Sequence, residues 1–531
     1  MRARLPPSAL ALAALALAAA ALRALLRDFP LDDDWAYYTA ARALVERGEL
    51  RVPDIVSPTM IAHTAWGALF AKAFGLSFGA LRASTLALSA LALALFSRLS
   101  VPPGREAGPA TGLHLLANPL FFLLSFTYMT DVPYLAWFLL SVLLYRAALR
   151  EDRASLWLAA SAAAGLAYLV RQIGVLIPAG VVLLLWRSGT LTPRRAALAL
   201  GPALLAVGLH QAWFHFAHGP TWASVVYNGA ATAALLSDPL RLSWEVYRRL
   251  AGGVLCLGLF TAPLALGALR GWRRPGAGAA AAALVFLAPF LLLQGAFPYF
   301  LNIIHEAGLG SPTIPGLEAK ISGLLGRAEF RAGLTAAALG SLTVWLGRAR
   351  DLRAALAAPE MRLWALCSAL QLAPPLAGGL FFDRYLLPAL PFTLALGLRV
   401  AAPGRAGAGA LALMLAWSVF GTWDYLNWSQ ARWDASREAA RLGVEPERLM
   451  GGIEWNGLHS YEKGMATARA SKPLAEIGEW EWLPPGPMRA VVAFCAPEGG
   501  EPLVARGYWT PLSARRGAVC VEAIRPRPPG P

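Results

Sequence analysis

Acidic residues, cysteine and charged residues in general are scarce in this chain of 531 residues. Asp and Glu number 32 against 47 Lys and Arg, only 15% of the residues are charged, and four are cysteines. Because 57% of the residues are hydrophobic, this composition excludes the set of soluble domains that the length would otherwise suggest. It predicts a protein made mostly of membrane-spanning helices.

The low cysteine content restricts thiol chemistry. Cys256 and Cys367 lie inside predicted spans, where a cysteine packs as a small apolar residue. Cys495 and Cys520 lie in strand-like segments of the tail, where an oxidising compartment permits a disulfide, and the sequence leaves their pairing open. No set of zinc ligands is evident from the spacing of histidines, cysteines and acids in the sequence, so no zinc site is predicted.

The excess of positive charge follows the order of the loops. Apolar windows of about 20 residues, long enough to cross a bilayer as helices, recur until residue 422. Arginine clusters fall in every second loop, as expected for cytoplasmic loops; they begin at Arg98, Arg146, Arg187, Arg270, Arg348 and Arg399. The charge therefore indicates topology and not nucleic-acid binding. It predicts a cytoplasmic N-terminus and places the alternate loops outside.

We predict an all-α polytopic membrane protein with two domains. Residues 1–422 form a transmembrane domain of about thirteen helices. The sequence favours an uncleaved first helix, and the alternative is that this first segment is a cleavable signal peptide. Its first outer loop, residues 28–78, carries surface helices at 36–47 and 60–74. Beyond residue 422 charge rises and strand-like segments appear, which predicts a small soluble α/β domain outside the membrane over residues 423–531.

Three consecutive acids, Asp32, Asp33 and Asp34, stand where the first apolar segment ends. Carboxylates at a membrane boundary are costly to desolvate, so they are candidates for function. Asp131 lies in another outer turn and is a candidate for the same reason. Each acid has a structural alternative, because carboxylates also stabilise the first turn of a helix.

Two arginines belong to outer turns as well. Arg171 lies in a sharp turn between two predicted spans, and Arg384 follows Asp383, with which it is placed to pair. A guanidinium group matches phosphate oxygens, and a neighbouring carboxylate can accept a proton from a hydroxyl group. The alternative is that these arginines only reach toward lipid headgroups. Because the acids and the arginines all belong to outer turns, we expect them to lie at the outer face of the membrane. Together they predict a ligand that contains both a phosphate and a sugar.

Several segments, taken in order, resemble the GT-C membrane glycosyltransferases of the protein O-mannosyltransferase and lipid A aminoarabinose transferase type. The matching segments are residues 33–37, 40–48, 69–75 with Arg82, 128–133, 170–174 and 384–388. The resemblance covers roughly residues 20 to 400 and lies in the order of the motifs. Many relatives carry a basic residue and two prolines in the first loop, where this chain has Ser57-Pro58-Thr59, so lipid A is not predicted as its acceptor.

The resemblance implies an enzyme with a GT-C-like fold in the inner membrane of a bacterium. It would transfer a sugar, with inversion, from a polyprenyl-phosphate donor such as an undecaprenyl-phosphate sugar. The acceptor, a glycan, lipid or protein, would be met at the periplasmic face. The C-terminal domain would then be periplasmic, and the lipid bilayer and the donor are the expected partners.

The resemblance also implies roles for individual residues. Asp33 would activate the acceptor, Asp34 stands where the family has a glutamate, and Asp131 would be a second acid. Arg171 would lie near the carrier phosphate. Further substrate-binding candidates are Arg384, Tyr37 in the first motif, and His305 and Glu306 in a long outer loop. No cofactor is predicted, although the abundance of acids leaves a divalent cation open.

The rival interpretation is a polytopic transporter or lipid flippase, which also combines many spans with charged residues. Transporters place their charges near mid-membrane and often contain inverted repeats. Here the charged candidates belong to one face and the sequence contains no evident repeat, so we expect an enzyme.

Overall fold

The computed structural model describes residues 6, 8–56, 59–226, 233, 236–320, 326–402, 404–478, 481–483, 487–496, 501–511 and 515–524. Over these residues the protein is mostly helical, with a small sheet near the C-terminal end, as predicted. Ser57 and Pro58, where the first loop departs from the motif of the family that the sequence resembles, lie outside the described residues. The buried apolar residues form one connected core from Ala11 to Val521.

The helices are numbered here in chain order. In the first half they are α1 (Ala9–Ala21), α2 (Asp34–Arg47), α3 (Ile61–Phe74), α4 (Phe78–Leu99), α5 (Leu113–Leu116), α6 (Pro119–Leu124), α7 (Asp131–Glu151), α8 (Ala154–Tyr168), α9 (Leu176–Arg187), α10 (Pro193–Trp213) and α11 (Trp222–Val225). In the second half they are α12 (Pro239–Phe260), α13 (Ala262–Ala268), α14 (Ala277–Gln294), α15 (Ala328–Gly347), α16 (Ala349–Leu356), α17 (Pro359–Ala377), α18 (Leu390–Val400), α19 (Arg405–Arg441) and α20 (Ile453–Ser471).

Local sequence explains several helix ends. The Ser77 hydroxyl accepts the N–H of Ala80 at the start of α4, and the Thr192 hydroxyl caps α10, whose first residue is Pro193. At the end of α2, Gly48 adopts a φ of 72°, which glycine reaches without the strain of a side chain.

Five helices within the described residues are long and apolar enough to cross a membrane. They are Phe78–Leu99, Asp131–Glu151, Pro193–His218, Ala277–Gln294 and Arg405–Arg441. A sixth span is formed if Pro239–Phe260 and Ala262–Gly271, which meet at 64°, cross together. Other apolar helices are shorter. The sequence predicts one span near residues 111–127, and in the structure this segment contains the short helices α5 and α6. The protein is thus a multi-pass membrane protein, while the number of about thirteen spans stays a prediction.

Both surface helices predicted for the first loop are present as α2 and α3, and their ends lie close to the predicted ones. On α3, Nε2 of His63 donates to the carbonyl oxygen of Tyr128 over 2.9 Å. Burial lowers the pKa of His63 to about 4, so this side chain is neutral and serves packing. Helix α2 also packs against the tail, because Gly457 of α20 lies so close to the Trp35 ring that a Cβ atom would be 2.3 Å from it.

The tail contains a four-stranded sheet with the order β3-β4-β6-β5. The strands are β3 (Leu449–Met450), β4 (Ala490–Phe494), β5 (Val504–Thr510) and β6 (Arg515–Ala523), while β1 (Ile304–His305) and β2 (Gly308–Leu309) form a separate hairpin. Cys495, just after β4, forms a disulfide with Cys520 of β6, which answers the question that the sequence left open.

Two features of the tail differ in extent from the sequence predictions. The sequence predicts a helix from Ala431 to Leu442, and the structure has a helix there, as the end of α19, which runs without a break across the predicted domain boundary at 422/423. From the sequence, residues 451–457 resemble a turn-rich binding segment, but in the structure helix α20 begins within them, at Ile453. The tail is therefore joined to the membrane region by a continuous helix, and the division into two domains stays a prediction.

Candidate active site

Asp34, the first residue of α2, is fully buried among main-chain groups. Its carboxyl oxygens accept the N–H of Tyr128 over 2.8 Å and the N–H of Leu31 over 3.3 Å. Burial raises the pKa of Asp34 to about 8, so the group keeps its proton at neutral pH. These contacts fix the first loop against the turn that precedes α7.

Asp32 is held from two sides. Its N–H donates to Oε1 of Glu454 over 3.2 Å, and its carboxylate accepts the Ser311 hydroxyl over 3.0 Å. The backbone at Asp32 has a φ of 53°, an uncommon conformation for a residue with a side chain. Burial, and then the charge of Asp33, raise the pKa of Asp32 to about 7.

Asp33 is the most accessible of the three acids. Its side chain is 35% exposed, against 14% for Asp32, and its Oδ2 lies 3.5 Å from Nη2 of Arg384. The residue immediately precedes α2 but its side chain makes no capping hydrogen bond. The simple role of a helix cap, which the sequence left open, therefore does not account for Asp33.

Asp131 begins α7, where the helix dipole favours a carboxylate. Its Oδ1 lies 2.9 Å from Nη2 of Arg171, and Nε of Arg171 donates to the Thr130 hydroxyl over 2.9 Å. The phenol of Tyr37 also forms a hydrogen bond with the Thr130 side chain. The same phenol interacts electrostatically with Asp33 and Arg171. Arg171 and Tyr37 thus both reach the start of α7.

Arg384 lies in the 3₁₀ turn Asp383–Leu386, and its partner differs from the predicted one. The Asp383 carboxylate accepts the N–H groups of Ile303 and Ile304, at 3.2 Å and 2.6 Å, and does not form an ion pair with Arg384. Arg384 instead faces the first loop, with its Nη1 3.8 Å from Oδ2 of Asp32.

The guanidinium group of Arg384 is buried and incompletely bonded. Within the described residues, its Nε and Nη1 atoms have no hydrogen-bond partner. Burial lowers the pKa of Arg384, but the charges of Asp131, Asp33 and Asp32 outweigh it and raise the pKa well above its ordinary value. We refer to Asp32, Asp33, Asp131, Arg171 and Arg384 together as the Arg384 cluster.

His305 and Glu306 are not joined to this cluster by a hydrogen bond or ion pair in the described part of the chain. Nδ1 of His305 accepts the N–H of Ala307 over 3.1 Å, and Glu306 forms an ion pair with Arg331. Their hairpin nevertheless begins at Ile304, whose N–H group, like that of Ile303, donates to the Asp383 carboxylate beside Arg384. The loop that carries them therefore borders the turn of Arg384.

Sequence reasoning missed the residues that support the acids from the tail. Glu454 of α20, which binds the N–H of Asp32, also forms a 2.8 Å ion pair with Arg432 of α19. Both side chains are at most 1% exposed, and the Thr313 hydroxyl donates to the same carboxylate over 2.7 Å. Since Glu454 and Asp32 are separated by 422 positions, no local pattern links them.

Arg82, which the sequence comparison included without a role, organises the start of the first loop. Its guanidinium group is fully buried and donates to the carbonyl oxygens of Ala24, Arg27 and Phe29. It therefore fixes the chain between α1 and the three acids.

No group of three or more His, Cys, Asp or Glu side chains able to hold a metal ion occurs in the parts of the chain that the structure describes. A divalent cation stays an open prediction. The cluster contains an exposed carboxylate beside a guanidinium group whose hydrogen bonds are incomplete. Such a guanidinium group can bind an anion, and the neighbouring carboxylate can accept a proton.

Helices long enough to span a membrane and a charged cluster at the ends of several elements define this protein as a multi-pass membrane protein with a polar site. Residues 57–213 match the family model described as dolichyl-phosphate-mannose-protein mannosyltransferase. The resemblance predicted from the motifs is thereby confirmed over that segment, which includes Asp131 and Arg171.

The sequence matches no curated protein. Two solved structures are similar to the chain. They are ArnT from Cupriavidus metallidurans bound to undecaprenyl phosphate and the same protein in the apo state. Each is 14% identical, with 96% of this chain and 97% of the other covered and a TM-score of 0.37. A TM-score this low does not establish a common fold.

Proposed function

We propose that this protein is an integral membrane glycosyltransferase. It transfers a sugar from a polyprenyl-phosphate donor, such as an undecaprenyl-phosphate sugar, to a glycan, lipid or protein acceptor. The reaction takes place at the periplasmic face of a bacterial inner membrane, where the segment after residue 422 forms a periplasmic domain. The family that matches residues 57–213 supports this donor class, since dolichyl-phosphate mannose is a polyprenyl-phosphate sugar.

The observation that carries the proposal is the position of the buried Arg384 guanidinium group beside the exposed carboxylate of Asp33. A buried guanidinium group with two unpartnered nitrogen atoms and long contacts to its acids favours an additional anion. The donor phosphate supplies that anion, and Arg384 stabilises the charge that remains on the lipid phosphate when the sugar departs. Arg171, which is held by Asp131 and Thr130, supports the phosphate from the neighbouring turn.

Asp33 is the proposed base because it is exposed to an incoming acceptor and lies beside Arg384. It takes the proton of the acceptor hydroxyl as the acceptor oxygen attacks the anomeric carbon. The bond from that carbon to the phosphate oxygen breaks in the same step, and its electron pair leaves with the lipid phosphate. Attack opposite the leaving group inverts the anomeric configuration.

The other predicted site residues take supporting roles in this proposal. Asp34, buried and bonded to main-chain N–H groups, positions the loop that carries Asp33. Asp131 orients Arg171, while Tyr37 lies between the first loop and Thr130 and contacts the sugar. His305 and Glu306, on the loop beside the Arg384 turn, contact the acceptor or the sugar.

Replacement of Asp33 by Asn tests the proposal. The full-length protein, reconstituted in liposomes, is supplied with radiolabelled undecaprenyl-phosphate sugars, and product formation is measured. We expect Asp33→Asn to lower the rate by about 10²- to 10⁴-fold, as expected for loss of a general base. Glu462→Gln is the matched control, because Glu462 is an exposed acid paired with Arg42 outside the cluster.

Transfer by Asp33→Asn at the wild-type rate would remove Asp33 from the mechanism. Exchange of a lipid or solute across the membrane, with no transfer from any polyprenyl-phosphate sugar, would support the transporter interpretation instead.

A further inference from the structure

A second polar cavity, of about 480 Å³, lies apart from the Arg384 cluster, and no cluster residue lines it. Three elements form its walls: the turn after α1, one face of α19, and the strand β5. Strand β5 is at the edge of the sheet, since β6 is its only partner in the described strands. The cavity therefore opens where the first helix, the long helix and the tail sheet meet.

Arginine dominates the lining of this cavity. Arg27 is bonded to the Leu426 carbonyl oxygen and the Asn427 side chain, whereas the Arg23 side chain has no hydrogen bond or ion pair within the described residues. Arg506 has only a 3.3 Å bond to the neighbouring carbonyl oxygen and a 3.8 Å contact with Glu438. Two of the three guanidinium groups are thus weakly engaged or free.

The surrounding charges leave this cavity positive. Burial, followed by the like charges of Arg82 and Arg23, lowers the pKa of Arg27 to about 10. The acid in the lining, Asp434, is already shared with Gln430 and Arg437. An anion with neighbouring hydroxyl groups suits such a lining, because arginine binds phosphate oxygens and Asp434 can accept from a hydroxyl group.

The border of the cavity is apolar on the side of the first helix. Leu26, which also lines it, is 77% exposed, and Leu17 and Leu25 are exposed as well. Trp509 of β5 is partly exposed at the opposite wall, as is usual for tryptophan at the boundary of membrane and water. Acyl chains can therefore lie against α1 while a head group occupies the cavity.

We propose that this cavity binds the head group of an anionic phospholipid, with the phosphate between Arg23 and Arg506. Arg23 has a φ of 50°, so its backbone is held in an uncommon conformation at the end of α1, where its side chain lines the cavity. The proposal is independent of glycosyl transfer, because it depends on a different set of side chains.

Native mass spectrometry of the full-length protein in detergent tests the proposal, with dioleoyl phosphatidylglycerol as the probe. We expect the double variant Arg23→Gln/Arg506→Gln to bind it about tenfold or more weakly, as loss of a charge-assisted contact predicts. Arg489→Gln is the control, because Arg489 is an exposed arginine of the tail outside the cavity, and its lipid binding is expected to match the wild type. Dioleoyl phosphatidylcholine, which has no net charge, should bind weakly to all variants.

Three results would overturn the proposal. They are equal phosphatidylglycerol binding by the wild type and the double variant, an equal loss in Arg489→Gln, and displacement of the lipid by millimolar glycerol phosphate, which would assign the cavity to a soluble phosphate ester. If the double variant does not fold, Arg23→Gln alone decides the matter. Its side chain is exposed and unpartnered among the described residues, so its removal should not affect folding, and weaker lipid binding is expected.

Discussion

Two arginines lie on either side of Asp32 and have opposite surroundings. Arg432 approaches Glu454 to 2.8 Å in a pair from which solvent is excluded, and its guanidinium group lies over the rings of Trp428 and Trp433. Arg384 approaches its acids only to 3.5 Å and 3.8 Å. Each guanidinium group has two nitrogen atoms without a hydrogen-bond partner in the described residues, so the two sites differ in the distance to their acids and in the exposure of those acids. Glu454 is fully buried, whereas the Asp33 side chain is 35% exposed. We call the Arg432–Glu454 pair closed and the Arg384 cluster open.

The difference separates structural charge from functional charge. Removal of one partner of a buried ion pair leaves the other charge uncompensated and destabilises the fold. A closed pair therefore has a structural role. The open cluster keeps Asp33 accessible and holds Arg384 at long distances from its acids, so an anion can still bind to this guanidinium group. Burial alone would not have distinguished these two sites, because both arginines are buried.

The strongest way to break the comparison is to open the closed pair. Glu454→Ala should lower the free energy of unfolding by about 3–5 kcal/mol, because it leaves the Arg432 charge buried and unpaired. Thermal unfolding of the detergent-solubilised protein measures this. Glu462→Ala, which removes an exposed partner of Arg42, should cost about 1 kcal/mol or less. Equal losses in the two variants would contradict a structural role for the Arg432–Glu454 pair.

The open cluster should respond in activity and not in stability. Arg384→Gln should lower the transfer rate by about 10²- to 10³-fold, as for the loss of one group that stabilises developing charge. Arg384→Lys keeps the charge without the planar fork and should give a smaller loss. Rates are compared with unfolding temperatures of the same preparations. A large fall in unfolding temperature with unchanged donor affinity would make Arg384 a structural residue.

Asp33 and Asp34 allow the same comparison between a functional and a structural charge at adjacent positions. Asp34→Asn should lower the free energy of unfolding by about 1–3 kcal/mol, because one of two buried N–H groups loses its acceptor. Asp33→Asn should leave unfolding almost unchanged and abolish most transfer. Chemical denaturation and the transfer assay, run on both variants, separate the two roles. The reverse pattern would exchange the assignments of the two residues.

The smallest expected effect concerns pH. Since the pKa of Asp32 is raised to about 7, the acid ionises above that pH and competes with the donor phosphate for Arg384. The KM for the donor should rise roughly threefold as the pH increases through 7, the size expected of a weak, partly screened charge interaction. Asp32→Asn should remove this dependence, and an unchanged profile in that variant would exclude Asp32 as its source.

The same shift affects stability. A carboxyl group whose pKa is higher in the folded chain binds its proton more tightly there. The stability it contributes is complete below the pKa of the unfolded chain, about 4, and is lost as the pH rises through about 7. Asp34, with a raised pKa of about 8, adds to the same trend. Unfolding temperatures should therefore fall between pH 5 and pH 8.5.

The sequence predicted those site residues whose position follows from the alternation of inner and outer loops along the chain. The sidedness of the loops placed Asp33, Asp131, Arg171 and Arg384 at one layer, and the structure brings all four together. It did not predict that Asp383 binds main-chain N–H groups, because such contacts leave no signature in side-chain type.

Distance along the chain limited the rest. Ser311 and Glu454 reach Asp32 from remote segments, and neither belongs to a motif that indicates such a contact. The continuity of α19 was missed because its apolar half and its polar half have different compositions, although both are helical. The predicted roles of His305 and Glu306 stay predictions, since their contacts lie outside the cluster.

The bond from Asp32 to Glu454 has a consequence for biogenesis. The ribosome makes the first loop early, while the carboxylate that holds its backbone is made only after most of the chain has entered the membrane. A nascent chain released before α20 emerges thus carries the five residues of the Arg384 cluster without the Glu454 carboxylate that holds the backbone of Asp32. We expect such fragments to be inactive even when they are correctly inserted in the membrane.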